Sequence, residues 1–392
     1  MNKLTIILAI FLCTAFWSNA AAASGNEAEG DGEGAFPPSS AYVLIEQSTG
    51  QILSAHNADR RLPPASLTKI MVLLLVAEEV NAKRLSLSDS VTVSAHASSM
   101  DGSVIWLEPG EIMTVGEMVK AVVISSANDA TVALAEHIGK SEGGFVRLMN
   151  QKAYVLGMSD TSFTNAVGYD EPQHYTTARD VAKMSRALMR SQNYEHFSEH
   201  MLTRLCSVRT GTERETQLLN TNNLITYYKG IQGIKTGTTD NAGYCLSAAA
   251  VRNSLHLISV VMGCKDEFDR VDLSEKLLDY GFNGYELHRP DSDAEFKPPV
   301  VTGGVERELA VKELQAPAIV IKRGRAGGLK YESYLPEKVT APVVRNQPVG
   351  TITATLDGEV VYESYIVAEK PVREMTFMRA LTVLCKRFLG IE

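Results

Sequence analysis

The chain has 392 residues, 45% of them hydrophobic and 21% charged, with 38 basic and 46 acidic side chains for a net charge of -8. That length exceeds one ordinary domain, and the composition excludes both a disordered chain and an all-membrane protein. The acidic balance, with no basic run, argues against a phosphate-tracking surface, so no nucleic acid partner is expected.

The N-terminus "MNKLTIILAIFLCTAFWSNAAAASG" has one early lysine, an apolar run from Leu4 to Trp17 and small residues at Ala21 to Ala23. This pattern predicts a secretory signal peptide over 1–23; an uncleaved anchor is the alternative, but the run is short for a membrane span. Export removes Cys13 and leaves Cys206, Cys245, Cys264 and Cys385, too few and too scattered for a disulfide framework and without metal-type spacing. Residues 24–40, rich in Gly, Glu and Ser, are expected to be a flexible linker. Two apolar runs around Ser48-Thr49-Gly50 predict a β-hairpin starting at about Ala41. Helical periods follow over Ser66 to Ala82, Val115 to Ile124, Ala127 to Ile138, Gly144 to Leu156 and Ala178 to Arg190. Three strands are then expected within "IQGIKTGTTDNAGYCLSAAAVRNSLHLISVVMG", turning near Asp240 and at Arg252-Asn253. This order predicts an N-terminal hairpin paired with the late strands, with helices on the faces of the sheet, and a catalytic unit over 41–285. From Glu286 the texture changes. "RPDSDAEFKPPVVTGG" reads as a linker, and the runs "LAVKEL", "PAIVIK", "GTITATL" and "EVVYESYIVAE" predict a small all-β, sandwich-like domain over 286–370. In 371–392, Phe377, Met378, Leu381, Leu384, Cys385 and Phe388 share one helix face, with Arg379, Lys386 and Arg387 on the other. Such a basic amphipathic helix is expected to lie on a membrane surface; docking on its own domain is the alternative.

The chemistry begins at "RRLPPASLTKIMVLLLVAEEV". Ser66 falls at a helix start after Pro63, Pro64 and Ala65, and the residues from Ile70 to Ala77 are apolar on every side, as in a buried central helix. Residues three apart share a helix face, so the Lys69 amine can lie beside the Ser66 hydroxyl. Burial disfavours the ammonium form, and a lysine made neutral in this way can accept the serine proton, while the helix N-terminus offers positive potential to an incipient alkoxide. S-x-x-K alone is as easily a capping serine with a snorkelling lysine, although it occurs only once in this sequence. Two further elements follow in order: Ser126-Ala127-Asn128 between two helical patterns, and Lys235-Thr236-Gly237 on a strand pattern.

Together the three elements form the signature of penicillin-binding proteins and class A β-lactamases. In that setting Ser126 can relay a proton to the leaving amine, Asn128 can hold a substrate amide, and Lys235 supplies a cation near the relay and the substrate carboxylate. The Lys235-Thr236-Gly237 strand offers an edge for an extended peptide, and the N–H groups of Ser66 and Thr238 would form the oxyanion hole. With "PPASLTKIM", "GSVIWLEPGE", "SSANDATVALAEHIG", "LGMSDTSFTNAVG", "HYTTARDVA", "NTNNL" and "GIKTGTTDNAGYCLSAAAV", the chain resembles the low-molecular-mass penicillin-binding proteins that are serine-type D-alanyl-D-alanine carboxypeptidases. The resemblance implies an α/β (α+β) penicillin-binding-protein-like catalytic domain, an antiparallel sheet with helices on both faces, plus a C-terminal β domain and membrane anchor. It also implies Arg270 near the substrate carboxylate, peptidoglycan stem peptides ending in D-Ala-D-Ala as substrate, acylation by β-lactam antibiotics, and no cofactor or metal. The expected location is the outer face of the cytoplasmic membrane, reached by secretion and held by the C-terminal helix. The chain departs from the family pattern at Ala127, where glycine is more usual, and at Thr238, where a bulkier residue is.

Three other enzyme classes share parts of this pattern. A class A β-lactamase needs an E-x-x-x-N element, and Glu215 with Asn220 is one step too long. A peptidoglycan D,D-endopeptidase would use the same serine machinery and stays open as the alternative. "EHFSEH" spells H-x-x-E-H through His196, Glu199 and His200, yet no third zinc ligand is evident, and a solvated helix end explains it. A non-enzymatic wall-binding protein would keep the fold but not the full set of reactive side chains.

Overall fold

The computed structural model describes residues 40–388 apart from 193, 213, 290–295 and 315–317. The signal-peptide expectation and residues 24–39 of the expected linker lie outside the described residues; Ser40, the last of that segment, is buried.

A five-stranded antiparallel sheet organises the first region. It comprises β1 (Ala41–Glu46), β2 (Ile52–His56) and, after the helices, β5 (Ile231–Thr239), β6 (Gly243–Arg252) and β7 (Leu255–Cys264), in the order β2-β1-β7-β6-β5. The N-terminal hairpin pairs with the last strand, as the element order predicts, with Val43 opposite Val260. Every residue of β1 is buried and Ala41 to Ile45 are apolar without alternation, because both faces of the sheet are covered. On one face lie α1 (Lys69–Asn81), α2 (Val115–Ser125), α3 (Asn128–Gly139), α4 (Glu142–Val155) and α5 (Ala178–Met189). Residues Ile70 to Ala77 of α1 are all buried at the centre of the large core there. On the other face Leu273, Leu277, Leu278 and Phe282 of α7 (Glu267–Gly284) pack against Leu44, Leu246 and Leu257.

The sequence reading did not identify α7. Nor did it find α6 (Tyr194–Leu202) as a separate helix, or the hairpin of β3 (Leu205–Arg209) and β4 (Glu215–Leu219). α7 opens on Asp266, whose side chain accepts from Asp269 N, the usual capping chemistry.

The second region begins without a break, since β8 (Tyr285–His288) pairs with β11 (Ile319–Lys322). The expected linker over 289–304 is corrected in part: Val300–Thr302 forms β9, paired in parallel with β13 (Lys338–Thr340). β10 (Val311–Glu313), β15 (Glu359–Ala368), β14 (Pro348–Leu356) and β12 (Lys330–Tyr334) make a four-stranded antiparallel sheet in that order. The last of the described residues form α8 (Phe377–Phe388), where Phe377, Met378, Leu381, Leu384 and Phe388 are exposed. No helix among the described residues is long and apolar enough to cross a membrane.

Candidate active site

Ser66 sits in a single 3-10 turn, Ala65–Thr68, that runs directly into α1. Ala65 before it has φ +48°, a left-handed conformation that costs a non-glycine residue and is held by complete burial. Lys69, the first residue of α1, is fully buried. Its Nζ lies 2.9 Å from Ser66 Oγ, 2.7 Å from Asn128 Oδ1 and 2.9 Å from the Val167 carbonyl oxygen. The carbonyl and the amide oxygen can only accept. A neutral amine has two N–H bonds and one lone pair, so these two acceptors take both hydrogens and leave the lone pair facing the Ser66 hydroxyl. Burial holds the Lys69 pKa well below the ordinary lysine value, and the neighbouring Lys235 charge pushes the same way against a smaller pull from Asp129. Burial therefore favours the neutral amine, and in that form its lone pair is aimed at Ser66.

α2 ends where Ser126 turns left-handed at φ +61°, and Asn128 opens α3 two residues later. The Ser126 hydroxyl is buried and makes no hydrogen bond in the structure, an orphaned polar group inside the site. Asn128, expected to hold a substrate amide, also orients Lys69. Its Nδ2 donates to the Asp101 carbonyl at 2.7 Å, which leaves a second N–H for a substrate. Asp129 behind it accepts from Ile105 N at 3.0 Å and Leu107 N at 3.1 Å and so pins the segment that covers this edge. Desolvation raises its pKa, opposed by those N–H groups.

The third wall is β5. Gly237 is closely fitted there: a Cβ would stand 3.1 Å from Ser66 N and 3.1 Å from the Pro64 carbonyl oxygen, so the backbone on one side would have to give by a few tenths of an ångström. A strand without a side chain at this point can run against the nucleophile's own amide. The Lys235 side chain is 3% exposed, and burial followed by the Arg270 charge lowers its pKa to about 7. Thr236 Oγ1 meets Thr221 Oγ1 at 2.5 Å. Arg270, from the first turn of α7, donates to Thr238 Oγ1 at 3.0 Å and faces the Tyr244 ring at 5.4 Å; its Nε has no partner. Hydrogen bonds join Ser66, Lys69 and Asn128, Gly237 lies against Ser66 N, and Arg270 bonds Thr238 on the strand that carries Lys235 and Thr236, with Ser126 two residues before Asn128.

Sequence reasoning missed Val167, Asp129, Asp101 and Thr221. The Val167 carbonyl has no side-chain signature, and the others act through bonds that pair distant parts of the chain. The H-x-x-E-H segment lies on α6, and among the described residues no group of His, Cys, Asp and Glu is placed to hold a metal.

Comparison with known proteins agrees with this geometry. A family model described as D-alanyl-D-alanine carboxypeptidase matches residues 37–266, and one for the C-terminal domain of penicillin-binding protein 5 matches residues 292–374. D-alanyl-D-alanine carboxypeptidase DacF of Bacillus subtilis is 39% identical over 89% of this chain and 88% of its own. Penicillin binding protein 5 from Haemophilus influenzae superposes with a TM-score of 0.78 at 30% identity, covering 85% of this chain and 97% of that one. Penicillin-binding protein D2 from Listeria monocytogenes, solved in an ampicillin-bound form, superposes with a TM-score of 0.53 at 29% identity over 63% of this chain and 98% of its own.

Proposed function

The chain belongs to the D-alanyl-D-alanine carboxypeptidase family, and from that premise we propose how its own residues carry out the reaction. It is a serine-type enzyme that removes the terminal D-alanine from peptidoglycan stem peptides and is acylated by β-lactams. Lys69 takes the Ser66 proton as Oγ attacks the carbonyl carbon between the two D-alanines. The tetrahedral oxyanion is held by the N–H groups of Ser66 and Thr238, in a region where Gly237 lets β5 approach. When the C–N bond breaks, the departing amine takes a proton through Ser126, whose unpartnered hydroxyl suits a relay used only during reaction. Water then attacks the Ser66 ester, and the shortened peptide leaves. Lys235 and Arg270 supply the positive charge for the substrate carboxylate. The observation that carries this reading is the Lys69 amine, buried and aimed at Ser66 by two fixed acceptors.

Mass spectrometry after incubation with benzylpenicillin, beside D-alanine release from a diacyl-Lys-D-Ala-D-Ala peptide, tests it. A stable adduct on Ser66 together with release is the expected result. An adduct without release points to an endopeptidase or a binding protein, and turnover that survives Ser66→Ala refutes the mechanism.

The enzyme is also proposed to be exported and held at the outer face of the cytoplasmic membrane by α8. The exposed face of Phe377, Met378, Leu381, Leu384 and Phe388 supports this, because water leaves such a stripe uncovered whereas a lipid interface buries it. Truncation before Arg373 should abolish co-sedimentation with anionic vesicles while small-peptide activity persists; continued sedimentation would overturn it.

A further inference from the structure

Lys69 is aimed by a loop, and something must fix that loop against the turn that carries Ser66. The loop runs between Ser162 and Tyr175, whose backbones exchange hydrogen bonds at 2.9 and 3.0 Å, and it returns to the nucleophile side where Leu62 and Thr176 do the same at 2.8 and 2.9 Å. Near its tip the Val167 carbonyl accepts from Lys69, and Gly168 fits so closely that a Cβ there would stand 1.9 Å from the Ala65 carbonyl oxygen. Between the loop and the turn lies His174, 1% exposed. Its Nδ1 accepts from Thr164 N at 3.0 Å, and its Nε2 is 2.9 Å from Thr68 Oγ1, a residue of the Ser66 turn adjoining Lys69.

A main-chain N–H can only donate, so Nδ1 is bare and the ring proton sits on Nε2, donated to Thr68. Phe163 packs edge-on to the ring at 5.8 Å. Burial lowers the ring's pKa to about 4 against the pull of Glu171 and Asp170, so it is neutral at ordinary pH and both bonds stay in place. No bond of this ring reaches Ser66, Lys69 or a substrate-binding group directly.

We infer that His174 is a positioning residue for the acylation step, a neutral imidazole strut that sets the distance between the Ser66–Lys69 turn and the Val167 carbonyl and so aims the Lys69 lone pair. The inference rests on the assignment of Ser66 and Lys69 above. Without the strut the loop can move away from the turn, and Lys69 can rotate an N–H instead of its lone pair toward Ser66. The noncovalent binding of substrate, which uses Asn128, Lys235 and Arg270, is left as it was.

Stopped-flow acylation by benzylpenicillin, resolving the dissociation constant of the first complex from the acylation rate constant, tests this on the mature protein. In His174→Phe the rate constant is expected to fall about 10- to 100-fold, the scale of a misaimed reacting group, with the dissociation constant unchanged. His174→Gln, whose amide N–H can still reach Thr68, is expected to recover most of that loss. Acylation of His174→Phe at the wild-type rate overturns the strut, and so does a Gln variant as impaired as the Phe variant. If His174→Phe does not accumulate as folded protein, Thr68→Val removes the acceptor with little change of shape; a matching fall in rate supports the proposal and a wild-type rate overturns it. Wild-type protein that forms no adduct at Ser66 would instead refute the assignment of the nucleophile itself.

Discussion

Residues 40–284 bury Glu46, Lys69, Glu111, Asp129, His174, Asp180, Lys235 and Arg270, whereas from Tyr285 onward the described residues bury no charged side chain and only Ser364 among the polar ones. Removing an ionisable group from water costs several kcal/mol unless it is paired or changes its protonation state, so the contrast reflects more than the size of the two regions. The first region has a core on each face of its sheet that can carry this cost; it sets Lys69 against Ser66, with Asp129 and Lys235 acting on Lys69 and Arg270 on Lys235, while Glu46, Glu111 and Asp180 accept from N–H and hydroxyl groups elsewhere. The second has two small clusters, one around Leu309 and Val343 and one around Ile352 and Ile366. The comparison separates a region whose interior is arranged for chemistry from one whose interior is arranged only for packing.

The sharpest way to break that comparison is to remove the buried base. Lys69→Ala should lower the acylation rate constant by about three to four orders of magnitude, as loss of a member of a nucleophile–base pair does. Penicillin acylation near the wild-type rate would mean that the buried lysine is structural and that the two regions differ less than their interiors suggest.

The pH profile of kcat/KM should be bell-shaped. Lys69 must be neutral to act, so the rate falls as pH drops through its lowered pKa; Lys235 must be charged to hold a carboxylate, so the rate also falls as pH rises above about 7. Each limb should approach a tenfold loss per pH unit. Lys235→Arg keeps its charge at high pH and should remove the alkaline limb while lowering the maximum. An unchanged alkaline limb in that variant would assign it to another group.

Asp129→Asn sharpens the same contrast at lower amplitude. The new amide would present an N–H to the Ile105 or Leu107 N–H it now accepts from, at a cost of about 1–3 kcal/mol for the unsatisfied donors. A lowered unfolding midpoint with a rate loss of about tenfold is expected, because the segment over Asn128 loosens. Stability and rate both at wild-type levels would show that the carboxylate is not what pins this segment.

The parts of this contrast legible in the sequence were those carried by local spacing. The step from Ser66 to Lys69 places both groups on one turn, the apolar run from Ile70 to Ala77 marks the central helix, and the turns at Asp240 and Asn253 mark the three late strands. α7 escaped because its buried positions are interleaved with charges such as Asp272, Lys276 and Asp279, which blur the apolar stripe; Arg270 was accordingly reached only through resemblance. His174 and Thr68 lie 106 positions apart, and nothing local to either announces the bond. A spacing rule finds groups that one helix turn brings together, and it has no purchase on a loop that returns from another part of the chain.

The smallest effect on catalysis should come from the second region's own core. Ile366 is fully buried on β15, in the cluster with Ile321, Ile352 and Tyr362, so Ile366→Ala leaves a cavity and should destabilise that sheet by about 2–5 kcal/mol. None of the residues around it touches the site at Ser66. Acylation should therefore stay within about twofold of wild type, the scale expected of a change far from the reacting groups. The connection between the regions sets the limit of this independence: β8 pairs with β11, and Val320 of β11 belongs to the core beneath α7, the helix that presents Arg270. If Ile366→Ala slows acylation, the disturbance has travelled through β11 to α7, and the stability measured by proteolysis of each region would show α7 loosening with the sheet. If it does not, the packing-only region can lose much of its stability without the chemistry registering it.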